Sequence, residues 1–265
     1  MRALWRERPA GSGRRTGARR ACWPCRHRDV QAVRALCFDL DDTFWDVQRV
    51  LARAEGRVAE FLAQHYPRLA SLDREQHRAA RIELAREAPQ RSHDLTWLRT
   101  EAMRRLARTA GYPDAVGEQA FAVFIEARNE VELFDDVLPA LGRLRSRYVL
   151  ATLSNGNADL ARIGIAEHFT VRLSARDVGV AKPHRDAFAA VAHALGLAAG
   201  EVAYVGDDPH TDVAGARAAG LRTVWINRRG LPWPDAAGEP DLVVADLAEL
   251  AQRVAPPPGV AAPPL

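Results

Sequence analysis

Residues 35 to 43 read Ala35-Leu36-Cys37-Phe38-Asp39-Leu40-Asp41-Asp42-Thr43, four apolar residues that run directly into three acids. A short apolar run bounded by polar turn residues predicts a buried strand over Ala35 to Phe38. In extended chain alternate residues share a face, so Asp39 and Asp41 project to the same side just beyond the strand end. Two carboxylates that close repel, and a cation or a permanent positive charge is needed to keep both ionised. An acidic turn after a strand is the plain alternative.

Working outward, the C-terminal half alternates apolar runs with helical patterns. Strands are expected at Tyr148 to Leu153, Thr170 to Leu173, Val202 to Val205, Thr223 to Ile226 and Leu242 to Val244. Helices are expected near Val137 to Arg145, Ala158 to Ile163, Arg185 to Leu195, Thr211 to Ala219 and Leu247 to Val254. Strands that alternate with helices specify a doubly wound α/β domain with a parallel sheet.

The alternation breaks once. About 90 residues after the first strand, from Asp46 to Phe134, carry helical patterns only, at Val47 to Gln64, Arg74 to Glu87, Asp94 to Thr109 and Glu118 to Glu130. This stretch reads as an inserted α-helical cap. Emerging from the carboxyl end of the first strand, it is expected over the crevice where open α/β sheets bind ligands. The division expected is a core of 34–45 and 135–254, a cap of 46–134, a basic, disordered extension of 1–33 and a Pro-rich tail of 255–265.

Three further strand ends carry polar groups. Val205-Gly206-Asp207-Asp208-Pro209-His210-Thr211-Asp212 places Asp207 at the sheet edge and Asp212 in the first turn of the next helix, where helix capping is its plain role. Ser154-Asn155-Gly156-Asn157 offers a hydroxyl and an amide at a turn, fit to hold a phosphoryl oxygen or simply to turn the chain. Lys182, in Gly179-Val180-Ala181-Lys182-Pro183, is the single lysine among 37 basic residues. A compact ammonium fits beside crowded oxygens where a planar guanidinium does not.

Taken in order, Asp39-x-Asp41-x-Thr43, Ser154, Lys182 before Pro183, and Gly206-Asp207-Asp208 with Asp212 resemble the four motifs of the haloacid dehalogenase-like (HAD) phosphohydrolases, over about residues 34 to 252. Ser154 stands where many members carry threonine. The segments Asp94-Leu95-Thr96-Trp97, Ser154 to Ala158 and Gly206 to Val213 are similar to bacterial flavin-mononucleotide phosphatases that also dephosphorylate 5-amino-6-(5-phosphoribitylamino)uracil.

The resemblance implies Asp39 as nucleophile forming an aspartyl-phosphate, Asp41 as acid and base, and Ser154 and Lys182 around the phosphoryl group. It implies Mg²⁺ held by Asp39, the Asp41 carbonyl and Asp207, with Asp208 or Asp212 behind them. Thr43, Asn155, Trp45 and Trp97 are the expected substrate contacts; the two tryptophans are candidates to stack on a planar ring, Trp45 from the crevice rim. On the Asp94 to Thr109 helix, Leu95, Leu98, Ala102 and Leu106 form the apolar stripe, which leaves Trp97, Arg104 and Arg108 on another face. Phosphoglycolate or sugar-phosphate hydrolysis and phosphomutase chemistry share these core residues. Carbon–halogen hydrolysis needs neither metal nor a second aspartate, and Asp41 argues against it.

Composition bounds the rest. The chain has 265 residues, 48% of them hydrophobic, enough for a sizeable core. Residues 1 to 34 carry ten arginines against Glu7 and Asp29, so the net charge of +3 hides an acidic remainder. That tail leaves a nucleic-acid-binding reading as the non-enzyme alternative, although no nucleic-acid partner is expected. Cys22-Trp23-Pro24-Cys25 has redox-pair spacing without the strand and helix such a pair requires. No apolar run approaches the roughly 18 residues of a membrane helix. A cytoplasmic monomer or homodimer acting on a small phosphate ester is expected.

Overall fold

The computed structural model describes residues 33–72, 74–234 and 238–254. The basic extension, the Cys22/Cys25 pair and the Pro-rich tail therefore lie outside the described residues.

Six strands, β1 (Ala35–Phe38), β2 (Val149–Ser154), β3 (Val171–Ser174), β4 (Val202–Gly206), β5 (Arg222–Ile226) and β6 (Leu242–Val244), form one sheet in the order β3-β2-β1-β4-β5-β6. Every pairing is parallel. The alternation along β1 shows why the sheet is covered on both faces. Leu36 and Phe38 enter one core cluster, while Ala35 and Cys37 enter another on the opposite side. A strand buried on both faces reads as a continuous apolar run rather than as alternation.

Ten α-helices accompany the sheet among the described residues. Four follow β1 without an intervening strand: α1 (Val47–His65), α2 (Arg74–Glu87), α3 (Leu95–Thr109) and α4 (Val116–Arg128). Asp46 and Asp94 cap the first and third, their carboxylates accepting the orphan backbone N–H groups of Gln48, Arg49 and Trp97. These four helices carry apolar clusters of their own, around Leu62, Met103 and Phe124 and around Leu84 and Leu98. Beyond them come α5 (Val137–Arg145), α6 (Leu160–Ile163), α7 (Ala175–Val178), α8 (Arg185–Leu195), α9 (Gly215–Ala218) and α10 (Leu247–Arg253).

Two expectations change. The single helix expected over Thr211 to Ala219 is a π-helical turn, Pro209–Ala214, followed by the short α9. Its mark is the Val213 amide donating five residues back to the Asp208 carbonyl at 3.2 Å. Leu95, placed in the apolar stripe of α3, is 40% exposed. As the first residue of that helix it faces an open cleft instead of the neighbouring helices.

The strand order reverses direction on either side of β1, which pairs with β2 and β4. Phe38 stands level with Thr152 and Val205, so the carboxyl ends of these strands lie side by side. Ligands of open α/β sheets bind in that crevice.

Candidate active site

Asp39 continues directly from β1, its amide donating to the Val205 carbonyl at 2.8 Å. Lys182 reaches it from the loop before α8. Its ammonium donates to Asp39 Oδ1 at 2.6 Å, to Asp212 Oδ1 at 2.7 Å and to the Tyr204 hydroxyl at 2.7 Å. A lysine has three donors, and all three are used here. The Tyr204 hydroxyl in turn donates to the Leu153 carbonyl at 2.7 Å, so the buried ammonium is held by a closed network.

Asn155 ties the lysine loop to the end of β2. Its amide oxygen accepts from the Lys182 backbone N–H at 2.8 Å, and its Nδ2 donates to the Lys182 carbonyl at 2.9 Å. The expectation that Asn155 holds a phosphoryl oxygen is corrected accordingly: the side chain fixes a backbone. Ser154, 3% exposed, accepts the Gly156 N–H on its hydroxyl oxygen at 2.9 Å.

Across the site, a side chain at Gly206 would collide with the Asp212 carboxylate, so the glycine is what admits Asp212. Asp212 uses its second oxygen to accept the Asp208 N–H at 3.1 Å. Asp208 turns away and caps the π-helical turn, accepting from His210 N at 2.8 Å and Thr211 N at 2.7 Å. Of the two residues expected behind a metal, Asp212 joins the cluster and Asp208 serves the backbone.

Asp39, Asp207 and Asp212 each offer a carboxylate oxygen, all within 4.8 Å of one another. Burial pushes Asp207 up to about 8, with Asp212 and Asp39 adding to it. Burial likewise carries Asp39 up to about 7 against the opposing pull of Lys182, with Asp212 and Asp41 adding to the rise. Burial alone would lower the Lys182 ammonium, but Asp212 and Asp39 push it upward. Three carboxylates against one ammonium leave an excess of negative charge, and a hard divalent cation with oxygen preference fits that donor set.

Asp41 sits at the mouth of this cluster. Trp45 Nε1 donates to its Oδ1 at 2.7 Å, and Arg128 Nη2 donates to both of its oxygens at 2.6 and 2.8 Å. Thr43 is fully buried, with its carbonyl taken by Arg228 and no partner for its hydroxyl.

Residues 33–220 match the family model described as a haloacid dehalogenase-like hydrolase. The chain belongs to the haloacid dehalogenase-like hydrolase family. The 5-amino-6-(5-phospho-D-ribitylamino)uracil phosphatase YigB of Escherichia coli K12 is 30% identical over 204 residues, 76% of this chain and 86% of that one. A phosphoserine phosphatase of Thermus thermophilus is 40% identical over 151 residues, 55% of this chain and 60% of its own. The crystal structure of a 2-haloacid dehalogenase from Pseudomonas syringae pv. Tomato superposes with a TM-score of 0.79 at 33% identity, covering 83% of this chain and 97% of that one.

Within this HAD-family site two expected contacts are corrected. Trp45 is fully buried, edge-on to Phe44, with its N–H spent on Asp41, so it presents no face at the crevice rim. Trp97 packs with Leu84, Leu98 and Ala102 between α2 and α3 under the Arg91 guanidinium, 4.2 Å from the ring centre. Packing between helices absorbed the ring. The aromatic carbocycle that lines the cleft beside Ser154 and Asn157 is Phe121. Arg104 and Arg108 pair with Glu118, Glu101 and Asp114 on the surface. Sequence reading missed Tyr204, Arg128 and Trp225, whose Nε1 holds the Asp207 carbonyl at 2.7 Å. A Tyr and a Trp inside strands read as core, and no local pattern marked Arg128.

Proposed function

We propose that this chain is a Mg²⁺-dependent phosphate monoester hydrolase working through an aspartyl-phosphate. The observation that carries the reading is the buried Asp39–Lys182–Asp212 network beside Asp207, at the sheet edge next to Asp41 and Ser154. In it Asp39 attacks phosphorus while Asp41 protonates the departing alkoxide. Asp41 then takes a proton from the water that attacks the phosphoryl group, and Asp39 is released. The Ser154 hydroxyl holds a phosphoryl oxygen on which charge develops, while Lys182, its three donors engaged by Asp39, Asp212 and Tyr204, supplies positive charge beside it. Asp39, Asp207 and the Asp41 carbonyl would hold the cation, supported by Asp212, and the bound cation would offset the negative charge of the phosphoryl group.

We further read residues 46–134 as a cap over a core of 34–45 and 135–254. For the substrate, the similarity to the Escherichia coli phosphatase favours a ribityl phosphate, either 5-amino-6-(5-phosphoribitylamino)uracil or flavin mononucleotide. The Thermus relative makes phosphoserine the second reading.

The test is phosphate release from these three esters, phosphoglycolate and a sugar phosphate, with and without Mg²⁺, alongside halide release from 2-chloropropionate. The highest kcat/KM is expected on a ribityl ester, with chelation abolishing turnover and Mg²⁺ restoring it. Halide release without phosphate release overturns the reaction, and a preference for phosphoserine overturns the substrate.

A further inference from the structure

Among the three acids of the β1 turn, Asp41 is gripped by a side chain of the helical segment, whereas Asp42 accepts only the Val47 backbone N–H from it. Arg128 ends α4, 87 positions away in sequence, and its side chain is 2% exposed. Its Nη2 spans both Asp41 oxygens, and Trp45 Nε1 adds a third hydrogen bond to the same carboxylate. The guanidinium also lies against the Ser154 turn. A Cβ at Gly156 would stand 2.8 Å from Asp41 Oδ2, 3.2 Å from Ser154 Oγ and 3.3 Å from Arg128 Nη2, so only glycine leaves room there.

An arginine this buried is costly unless its partner holds it well, and Nη1 still lacks a hydrogen-bond partner. The Arg104–Glu118 and Arg108–Asp114 pairs of the helical segment, by contrast, sit nearer the surface, where exposed pairs contribute little.

We propose that Arg128, backed by Trp45, is a positioning residue that fixes the Asp41 carboxyl for both proton transfers of the phosphatase reading, on which this inference rests. In the first step the Asp39–phosphorus bond forms, the ester P–O bond breaks, and the Asp41 proton goes to the leaving oxygen. In the second, water forms a P–O bond, its proton goes to Asp41, and the Asp39–phosphorus bond breaks. Because the arginine belongs to the helical segment and the aspartate to the β1 turn, the acid is set only when the two are packed together.

The test uses leaving groups. p-Nitrophenolate departs without a proton, whereas the primary alkoxide of flavin mononucleotide needs one. In Arg128→Ala, and in Arg128→Lys should the alanine variant fail to fold by thermal melting, kcat/KM on flavin mononucleotide should fall at least about tenfold further than on p-nitrophenyl phosphate. The p-nitrophenyl ester should show a first-turnover burst equal to the enzyme concentration, because water attack is slowed while phosphoryl transfer is not. On an Asp41→Asn background, Arg128→Ala should cost less than about twofold more, since it acts through the missing carboxylate.

Equal losses on both esters without a burst would mean that Arg128 touches the phosphoryl group itself or only holds the fold, and either outcome overturns the proposal. So does a full additional loss on the Asp41→Asn background. If the unmodified protein hydrolyses neither ester with Mg²⁺ present, the phosphatase reading falls rather than this one.

Discussion

The lone lysine has three acceptors at 2.6 to 2.7 Å in a slot where its side chain is 3% exposed. A guanidinium carries the same charge but is planar and wider, so it cannot place three donors on those three oxygens. Lys182→Arg should lower kcat/KM by at least about tenfold, equivalent to roughly 1.4 kcal/mol, and near-normal kinetics would make the lysine an accident of composition. Asp39→Asn keeps the shape and removes the nucleophile. Turnover should vanish while the melting curve stays cooperative, and residual hydrolysis near the unmodified rate would remove Asp39 from its role. Gly206→Ala has no room beside Asp212. Titrating activity with Mg²⁺ should show a raised half-saturation concentration in this variant, because the displaced carboxylate no longer supports the cluster.

At the scale of elements, the end of β4 and the π-helical turn divide two adjacent acids between two jobs. Asp207 points into the cluster, while Asp208 caps the turn through the His210 and Thr211 amides. Replacing a capping aspartate by alanine costs about 1 kcal/mol. Asp208→Ala should therefore lower the denaturation midpoint while leaving the Mg²⁺ requirement close to that of the unmodified protein. A large rise in that requirement, with stability unchanged, would reverse the assignment. The loop after β1 shows the same division: Asp42, with its φ of 56°, accepts the Val47 N–H at 3.0 Å and frees Asp39 and Asp41 for the crevice.

For the whole molecule, the acidic cluster links stability to pH and metal. Asp39 and Asp207 rise from 3.8 to about 7 and about 8 on folding, so the folded state binds protons that the unfolded chain has lost. Their contribution is fully present below 3.8 and is lost as pH climbs through those raised values. Metal-free protein should accordingly lose melting temperature between pH 5 and pH 9, on the order of the window those shifts define. A divalent cation binds the deprotonated carboxylates, so the gain in melting temperature from Mg²⁺ should be larger at the alkaline end. A gain independent of pH would place the cation elsewhere.

Local pattern determined the strand ends and the order of the elements. Apolar runs of four to six residues ending in Asp39, Ser154 and Asp207 announce a parallel sheet whose loops gather at one edge, because strand period and turn chemistry are properties of neighbours in sequence. The family motifs were legible for the same reason, each lying within a few residues. What the tertiary structure alone decided was who faces whom. Trp45 and Trp97 could each have faced the crevice, and packing buried Trp45 fully and set Trp97, partly buried, against Leu84, Leu98 and Ala102. Arg128 meets Asp41 across 87 positions, and Tyr204 meets Lys182 across the sheet, contacts set by how the layers close. Asn155 has the same donors and acceptor for a phosphoryl oxygen as for a backbone, and only the approach of the Lys182 loop determined which it would take.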